Sequence, residues 1–255
     1  MKLYYLPTSI AALMLLGLPS PSTAAEPKLR GAVYLQSDSN IQETSTTSTV
    51  EINEVGMDVL VEAFCEAAVS ISEAFWKNGG KPHSEDDAYP QAACDAAYEE
   101  AVAALTGAYN YPDPVLFKPT LTTAQFTFRP TKEGALSYFI GTDCLLKSGH
   151  DGAQFPPGND GSAFREFGFA LANYGAHVGI SDCHWTPDSY VIGNNTGVAQ
   201  GKVIFERTEG TTSVVDKTFS FGVNRSGAVV ITGHHSSSEI GAAQSTQYTF
   251  DDVEF

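Results

Sequence analysis

The spacing of apolar residues changes once along this chain, near Pro112, and that change limits the possible folds more than any other feature. Before it, apolar side chains recur every three or four residues, the spacing of one face of an amphipathic helix. After it, short apolar segments are interrupted by Gly, Asn and Pro, which is typical of β-strands joined by turns. Helices followed by strands, without βαβ alternation, predict an α+β fold in which a curved antiparallel sheet packs against helices.

Two helices are predicted before the change. The first covers residues 51–76 and ends at the Asn-Gly-Gly sequence of 78–80. The second covers residues 89–106 and ends at Gly107, because glycine readily takes the left-handed conformation that terminates a helix. Alanines form one face of this second helix, so another element can pack close to it.

The rest of the chain is predicted to form strands around one long loop. That loop covers residues 149–161, which are rich in Gly and Pro. The strands are predicted at residues 115–120, 124–129, 135–141, 164–168, 176–185, 189–192, 197–207, 213–223 and 228–235. We find no internal repeat, and the length fits a single domain over residues 50–255.

The N-terminus carries the three parts of a secretion signal. A lysine follows the initiating Met, an apolar run extends to Leu18, and small residues lead to a cleavage site expected after Ala24 or Ala25. The apolar run is too short to cross a bilayer as a helix, which disfavours the alternative of a membrane anchor. We predict a signal peptide at 1–25, a flexible segment at 26–49, and an exported protein that is periplasmic or secreted.

The charge of the chain disfavours two classes of partner. With 14 basic and 30 acidic side chains, the formal net charge is −16. Loss of the predicted signal peptide removes one lysine and no acid, which leaves −17. Nucleic acids and anionic lipid surfaces are both bound by clustered Lys and Arg. We therefore expect no nucleic-acid partner, and no membrane association once the signal peptide is removed.

Four cysteines, an even number in a chain predicted to be exported, indicate two disulfides. We expect Cys65 to pair with Cys94 and Cys144 to pair with Cys183, so that the first bridge joins the two predicted helices. Four unpaired buried thiols are the alternative. The chain has no C-x-x-C pair and no mixed Cys/His cluster, so a structural zinc site is not expected.

The two adjacent histidines of this chain lie in the Gly-His-His-Ser-Ser-Ser sequence of 233–238. Neighbouring residues on a strand point to opposite faces of the sheet. His235 would therefore share one face with Ser237, and His234 would share the other with Ser236. One of these pairs is expected to point into any cavity that the sheet encloses. A hydrogen-bonded cluster at the end of a strand is the structural alternative.

Metal-binding patterns are weak in this sequence. It has no H-E-x-x-H and no H-x-H, so a zinc site would need scattered residues such as His177 or His184. We expect an enzyme or binding protein without a metal cofactor, and a bound zinc or manganese ion is the alternative.

Three motifs in order along the chain indicate a family. They are Phe-Lys-Pro-Thr at 117–120, Arg-Pro-Thr followed by Gly-Ala-Leu-Ser-Tyr-Phe within 129–139, and His-His-Ser-Ser at 234–237. Their combination resembles the iota-class carbonic anhydrases, which are similar to the association domain of calcium/calmodulin-dependent kinase. The resemblance covers roughly residues 50–238.

The resemblance implies a cone-shaped, nuclear transport factor-like α+β fold, assembled as a homodimer around pockets that bind bicarbonate. The implied activity is the reversible hydration of carbon dioxide to bicarbonate and a proton, without a metal in some members. Hydroxyl groups would orient water and product, and a histidine would relay the proton. The site residues carried over by motif are Thr120, Tyr138, His235 and Ser237. His234 and Ser236 remain alternatives, because the sequence does not determine which face of their strand is inward.

Two other functions are compatible with the sequence. Asp182 and His184 would share one face of a strand and could form the acid/base dyad of another enzyme of this fold, such as an isomerase or a dehydratase. A cavity larger than bicarbonate needs would favour that function. A non-catalytic domain that assembles with partners or binds small acids is the third possibility, and unchanged folding with lost turnover in Tyr138→Phe would argue against it.

Overall fold

The computed structural model describes residues 51–82, 89–120, 126–150, 166–171 and 179–238. The predicted signal peptide and the predicted flexible segment lie outside the described residues, as does most of the predicted loop. Within the described ranges, no helix is long and apolar enough to cross a bilayer.

The described residues form three helices and five strands, in the α+β arrangement that the change in apolar spacing predicts. The helices are α1 (Glu54–Lys77), α2 (Gln91–Ala108) and α3 (Lys132–Lys147). The strands are β1 (Leu116–Lys118), β2 (Ile180–Ile192), β3 (Thr196–Arg207), β4 (Thr212–Val223) and β5 (Val229–Ser238). Both predicted helices are confirmed as α1 and α2, although α2 continues through Gly107 instead of ending there.

The strands form one sheet in the order β1-β5-β4-β3-β2. From β2 to β5, consecutive strands pair antiparallel, as expected for strands joined by short turns. The segments predicted separately at 176–185 and 189–192 belong to the single edge strand β2. At the other edge, β1 runs parallel to β5, which departs from the wholly antiparallel sheet that was predicted. This parallel pairing brings the end of β1 beside the two histidines of β5.

Helix α1 packs on the sheet through one apolar face. Its start is capped by Asn53, whose side-chain oxygen accepts a hydrogen bond from the Gly56 N–H at 2.8 Å. The large buried side chains of the face are Met57, Val61, Phe64, Ile71 and Phe75. The Phe64 ring reaches the middle of the sheet, so α1 closes one side of the space above β4 and β5.

The segment predicted as a strand at 135–141 is wrong, because these residues belong to helix α3. All residues from Gly134 to Thr142 are buried, and an apolar run buried on every side shows no periodicity that would distinguish a helix from a strand. The helix bends at Gly141, where φ is 78° and a Cβ atom would lie 2.6 Å from the Glu166 carbonyl oxygen. Glycine is therefore required at this bend.

Two further predicted strands are not found in the described residues. Residues 126–129 of the segment predicted at 124–129 and residues 166–168 of the segment predicted at 164–168 are not in strands. Both stretches instead form irregular connections that lie against α3 and β1. The aromatic residues that suggested strands are not core residues, since Phe126 and Phe167 are half-buried and Phe128 is exposed.

All four cysteines form disulfides, as predicted, but both predicted pairings are wrong. Cys65 is bonded to Cys183, and Cys94 is bonded to Cys144. The reason is spatial: α1 packs against both α2 and β2, and α2 packs against both α1 and α3, but Cys65 is on the side of α1 that meets β2 and Cys94 is on the side of α2 that meets α3. The bridges therefore join a helix to the sheet and a helix to a helix, and they do not join α1 to α2.

We expect the Cys65–Cys183 bridge to stabilise the fold slightly more than the Cys94–Cys144 bridge. The first closes 118 residues and the second 50, and the chain-entropy model gives a difference of about 0.8 kcal/mol within a usual total of about 2–4 kcal/mol per bridge. Urea unfolding of the two double Cys→Ala variants measures this difference. Peptide mapping without reduction tests the pairing. Two peptides joined by a disulfide between Cys65 and Cys94 would contradict it.

Candidate active site

The two histidines of β5 lie on opposite faces of the sheet, and the buried face is that of His234 and Ser236. His234 is 1% exposed and Ser236 is fully buried, whereas His235 is exposed and Ser237 is half-buried. The sequence-based preference for His235 and Ser237 as the inward pair is therefore wrong. The reason is the antiparallel register, which sets His234 opposite the core residue Phe219 of β4, so that both side chains share the inner face.

Two hydroxyl groups from separate motifs meet at this buried face. The Thr120 hydroxyl, two residues beyond β1, forms a hydrogen bond with the Ser236 hydroxyl, and either oxygen can donate. The Lys118 ammonium also donates to the Ser236 carbonyl oxygen at 3.3 Å. The structure thus brings together the threonine and one of the serines that the motifs predict.

Tyr138 lies on α3 and faces the same space from the helical side. Its ring is nearly buried and stacks on Phe169 with a centroid distance of 4.8 Å. It also meets the edge of Phe117 at 5.5 Å, and Phe117 in turn stacks on His234 at 4.7 Å. Thr120, Ser236, His234 and Tyr138 therefore belong to one cluster with the rings of Phe117 and Phe169, and this cluster of side chains is called the chamber below.

The His234 imidazole is held from four directions. Its ring lies between Phe117 of β1 and Phe219 of β4, the two residues beside it in the sheet, with centroid distances of 4.7 and 4.4 Å. Its Nδ1 is 2.9 Å from the Tyr109 hydroxyl oxygen. Its Nε2 is 2.9 Å from the Lys217 Nζ. Both ring nitrogens thus have protein partners, and the ring cannot turn without losing them.

Burial shifts the acidity of all three groups in this line. It lowers the pKa of Lys217 to about 7. It also lowers the pKa of His234 well below its ordinary value, helped by the nearby Lys217 and His235 charges. The pKa of Tyr109 is raised well above its ordinary value by burial and by its neighbours Tyr111 and Tyr138. A neutral His234 between a neutral Tyr109 and a titratable Lys217 is the state expected near pH 7.

Tyr109 and Lys217 were not identified as site residues from the sequence. Lys217 alternates with Phe219 and Phe221 on the apolar face of β4. A lysine among buried positions is unusual, so this pattern in the sequence could have indicated a functional residue. Tyr109 follows α2 in a segment without any pattern, so only the fold shows that it meets His234.

The alternative dyad of Asp182 and His184 lies elsewhere. The His184 Nε2 is 3.0 Å from the Asp182 Oδ2, and both side chains are about half exposed on β2, at the sheet edge opposite β1. The structure therefore does not bring this pair into the chamber. His177, named above as a possible scattered ligand, lies outside the described residues.

The groups of the chamber do not suit a zinc or manganese ion. Both nitrogens of His234 are already hydrogen-bonded, and the remaining donors are hydroxyls, an amine and phenols instead of the imidazole, thiolate or carboxylate ligands that these ions favour. In the part of the chain that the structure describes, no three His, Cys, Asp or Glu side chains are grouped closely enough to hold a metal.

Comparisons with known proteins show the family to which this chain belongs. Residues 57–238 match the family model described as metal-independent carbonic anhydrase. A metal-independent carbonic anhydrase from Nostoc sp. is 32% identical over 206 residues, which cover 79% of this chain and 82% of the relative. The crystal structure of an iota-carbonic anhydrase from a cyanobacterium, complexed with bicarbonate, is 30% identical with a TM-score of 0.55 and covers 74% of this chain and 94% of that chain. This chain therefore belongs to the metal-independent carbonic anhydrase family, as its three motifs predict.

Proposed function

We propose that this protein is a carbonic anhydrase that interconverts carbon dioxide and water with bicarbonate and a proton, without a metal. The observation that carries the proposal is the hydrogen bond between the Thr120 and Ser236 hydroxyls, beside a cluster of aromatic rings that includes Tyr138. The bicarbonate complex of the similar cyanobacterial structure supports a site of this kind.

Hydration of carbon dioxide needs a water molecule to be oriented for attack and negative charge to be stabilised as it develops on two oxygens. In a dry chamber, fixed hydroxyl donors aimed at those oxygens stabilise the transition state more than they would in water. Thr120 and Ser236 currently satisfy each other, and each hydroxyl can donate to a substrate oxygen once the substrate separates them. We assign Tyr138 to orient the attacking water or the bicarbonate hydroxyl from the opposite wall.

The histidine assigned to proton relay is His234 in this proposal. His235 shares a strand with it but is exposed on the other face, so a proton released in the chamber has no direct route to it. His234 lies inside, with hydrogen-bond partners on both nitrogens, and can pass a proton from one side of its ring to the other.

We also propose that the enzyme works outside the cytoplasm, in the periplasm or after secretion, and assembles as a homodimer. The two disulfides are consistent with export, because such bonds persist in oxidising compartments. Cleavage after Ala24 or Ala25, determined by N-terminal sequencing of the exported protein, would test the signal peptide, and the molar mass in solution would test the dimer.

Hydration activity that survives metal removal is the expected result. The mature, oxidised protein is treated exhaustively with a chelator, its metal content is measured, and hydration is followed by stopped flow with a pH indicator. We expect the treated and untreated protein to be equally active, because the chamber donors do not suit a metal. Activity that is lost and then restored by zinc or manganese would contradict the metal-free proposal. Bicarbonate binding without any turnover would instead support a non-catalytic small-acid-binding domain.

A further inference from the structure

We propose that Lys217 is the group that takes up the proton released in hydration, and that the proton reaches it through Tyr109 and His234. This inference rests on the proposed function. Lys217 belongs to none of the three motifs. It lies on β4, between the second and the third motif along the chain.

The geometry is a continuous line of hydrogen bonds inside the core. The Tyr109 hydroxyl, the two nitrogens of His234 and the Lys217 Nζ follow one another with two spacings of 2.9 Å. Lys217 is 4% exposed, and Phe64 of α1 lies over its Nζ with the ring centroid at 5.0 Å. Lysine side chains are rarely buried to this degree, because an ammonium ion loses its hydration there.

A neutral imidazole offers one N–H donor and one acceptor, so the line has two consistent states. In the first, Tyr109 donates to Nδ1, and the Nε2–H donates to a neutral Lys217 amine. In the second, the Lys217 ammonium donates to Nε2, and the Nδ1–H donates to the Tyr109 oxygen. The two states differ by one proton on Lys217, whereas His234 is neutral in both.

The proposed transfer converts the first state into the second without turning the ring. A water proton is transferred to the Tyr109 oxygen as the water oxygen bonds to the carbon of carbon dioxide. The Tyr109 proton moves to Nδ1, and the Nε2 proton moves to the lone pair of Lys217. The products are bicarbonate and an ammonium ion, so charge and atoms balance. The rings of Tyr109 and Tyr138 both pack on Phe117, with centroid distances of 6.4 and 5.5 Å, so the line begins beside the proposed site.

The surroundings favour a neutral His234 and a Lys217 that titrates near neutrality. Burial lowers the pKa of Lys217 to about 7, and burial together with Lys217 and His235 lowers that of His234 further. One aromatic ring from each of α1, β1 and β4 packs against this line, namely Phe64, Phe117 and Phe219. The titratable or charged groups near the line are Tyr109, Tyr111, Lys118, Tyr138 and His235. A carboxylate beside the Lys217 ammonium would stabilise its charge and raise its pKa. The pKa of Lys217 is instead lowered, and burial is the cause.

The pH dependence of the two directions tests the proposal. Hydration needs the neutral amine, so its rate should rise as the pH increases through about 7, and dehydration, which needs the ammonium, should fall over the same range. In Lys217→Gln, whose amide can still donate to Nε2 but takes up no proton, we expect hydration at pH 8 to fall by about 10- to 100-fold and the inflection near pH 7 to vanish.

Lys202→Gln is the matched control, because Lys202 is an exposed lysine of β3 that pairs with Asp216. It should keep both the rate and the inflection. An inflection near pH 7 that persists in folded Lys217→Gln would overturn the inference while leaving the proposed function intact. A wild-type protein without hydration activity would instead reject the proposed function.

A second measurement does not depend on the variant folding. In wild-type protein with ¹⁵N-labelled lysine, the Nζ signal of Lys217, assigned through its contacts with the rings of Phe64 and His234, is followed by nuclear magnetic resonance from pH 5 to 9. We expect it to titrate within this range, unlike the signal of Lys202. A Lys217 signal that stays charged up to pH 9 would mean a structural cation over the Phe64 ring and would overturn the inference.

Discussion

Ser236→Ala is expected to lower kcat/KM for carbon dioxide hydration by about 100-fold, because one fixed donor to a developing oxyanion contributes about 10²–10³-fold in other enzymes. Ser236 is fully buried and shares its hydrogen bond with Thr120, so the variant also leaves the threonine hydroxyl with one partner fewer. The loss should appear in kcat as well as in kcat/KM, because the donor is needed most where charge develops.

Ser237→Ala is the matched control for this variant. It removes the same hydroxyl from the neighbouring residue, which lies on the opposite face of β5 and pairs across the sheet with Asp216. We expect it to keep wild-type activity, and stopped-flow assays of both folded variants give the comparison. A larger loss of activity in Ser237→Ala than in Ser236→Ala would indicate that the site lies on the outer face of β5, the face of His235 and Ser237.

Arg129→Met is expected to destabilise the fold by about 3–5 kcal/mol, the usual cost of removing one partner of a buried ion pair. Arg129 is fully buried, and its Nη2 donates to the Glu166 Oε1 at 2.9 Å. The Ser137 hydroxyl of α3 donates to the other carboxylate oxygen at 3.0 Å. Without the guanidinium, burial would further favour a protonated Glu166, whose pKa burial already raises.

This ion pair also positions the walls of the proposed site. Arg129 donates its backbone N–H to the carbonyl oxygen of Phe117 on β1 at 2.8 Å, while Ser137 immediately precedes Tyr138 on α3. The cluster thus ties the strand that leads to Thr120 to the helix that carries Tyr138. We expect variants that still fold to have weakened activity for this reason.

Arg225→Met is the control for Arg129→Met, because Arg225 pairs with Asp113 but its side chain is 90% exposed. Exposed ion pairs contribute little to stability. The free energy of unfolding of this variant should therefore equal that of the wild type within error. Urea unfolding of oxidised protein, followed by circular dichroism, measures both. The double variant Arg129→Met/Glu166→Met should recover part of the loss, since it leaves no unpaired buried charge. Equal effects of Arg129→Met and Arg225→Met would contradict the buried ion pair.

Much of the fold was predictable from local patterns. The apolar face of α1 and the alanine face of α2 have a period that only a helix satisfies, and β3, β4 and β5 are bounded by turn residues. These elements have one buried and one exposed side, so burial leaves a regular trace in the sequence. The three motifs were equally visible, and through them Thr120 and Tyr138 were predicted as site residues before the fold was known.

An element that is buried on every side shows no regular spacing of apolar residues in the sequence. Helix α3 is buried from Gly134 to Thr142 and was therefore predicted as a strand, although its role as the carrier of Tyr138 is unaffected. The pairing of the cysteines was wrong for a related reason, because it depends on which elements pack together and not on their order along the chain.

The sequence by itself determined the class of fold and the family, and it predicted Thr120, Tyr138 and the residues of the His-His-Ser-Ser motif as candidates for the site. The tertiary structure decided which of them face inward, because the inner face of β5 is set by its register against β4, where His234 meets Phe219 and Ser236 meets Lys217. It also supplied Tyr109 and Lys217, which come from segments 108 residues apart in the chain yet bind the two nitrogens of one imidazole. Local patterns carry no information on such contacts, since register and packing are properties of the whole sheet.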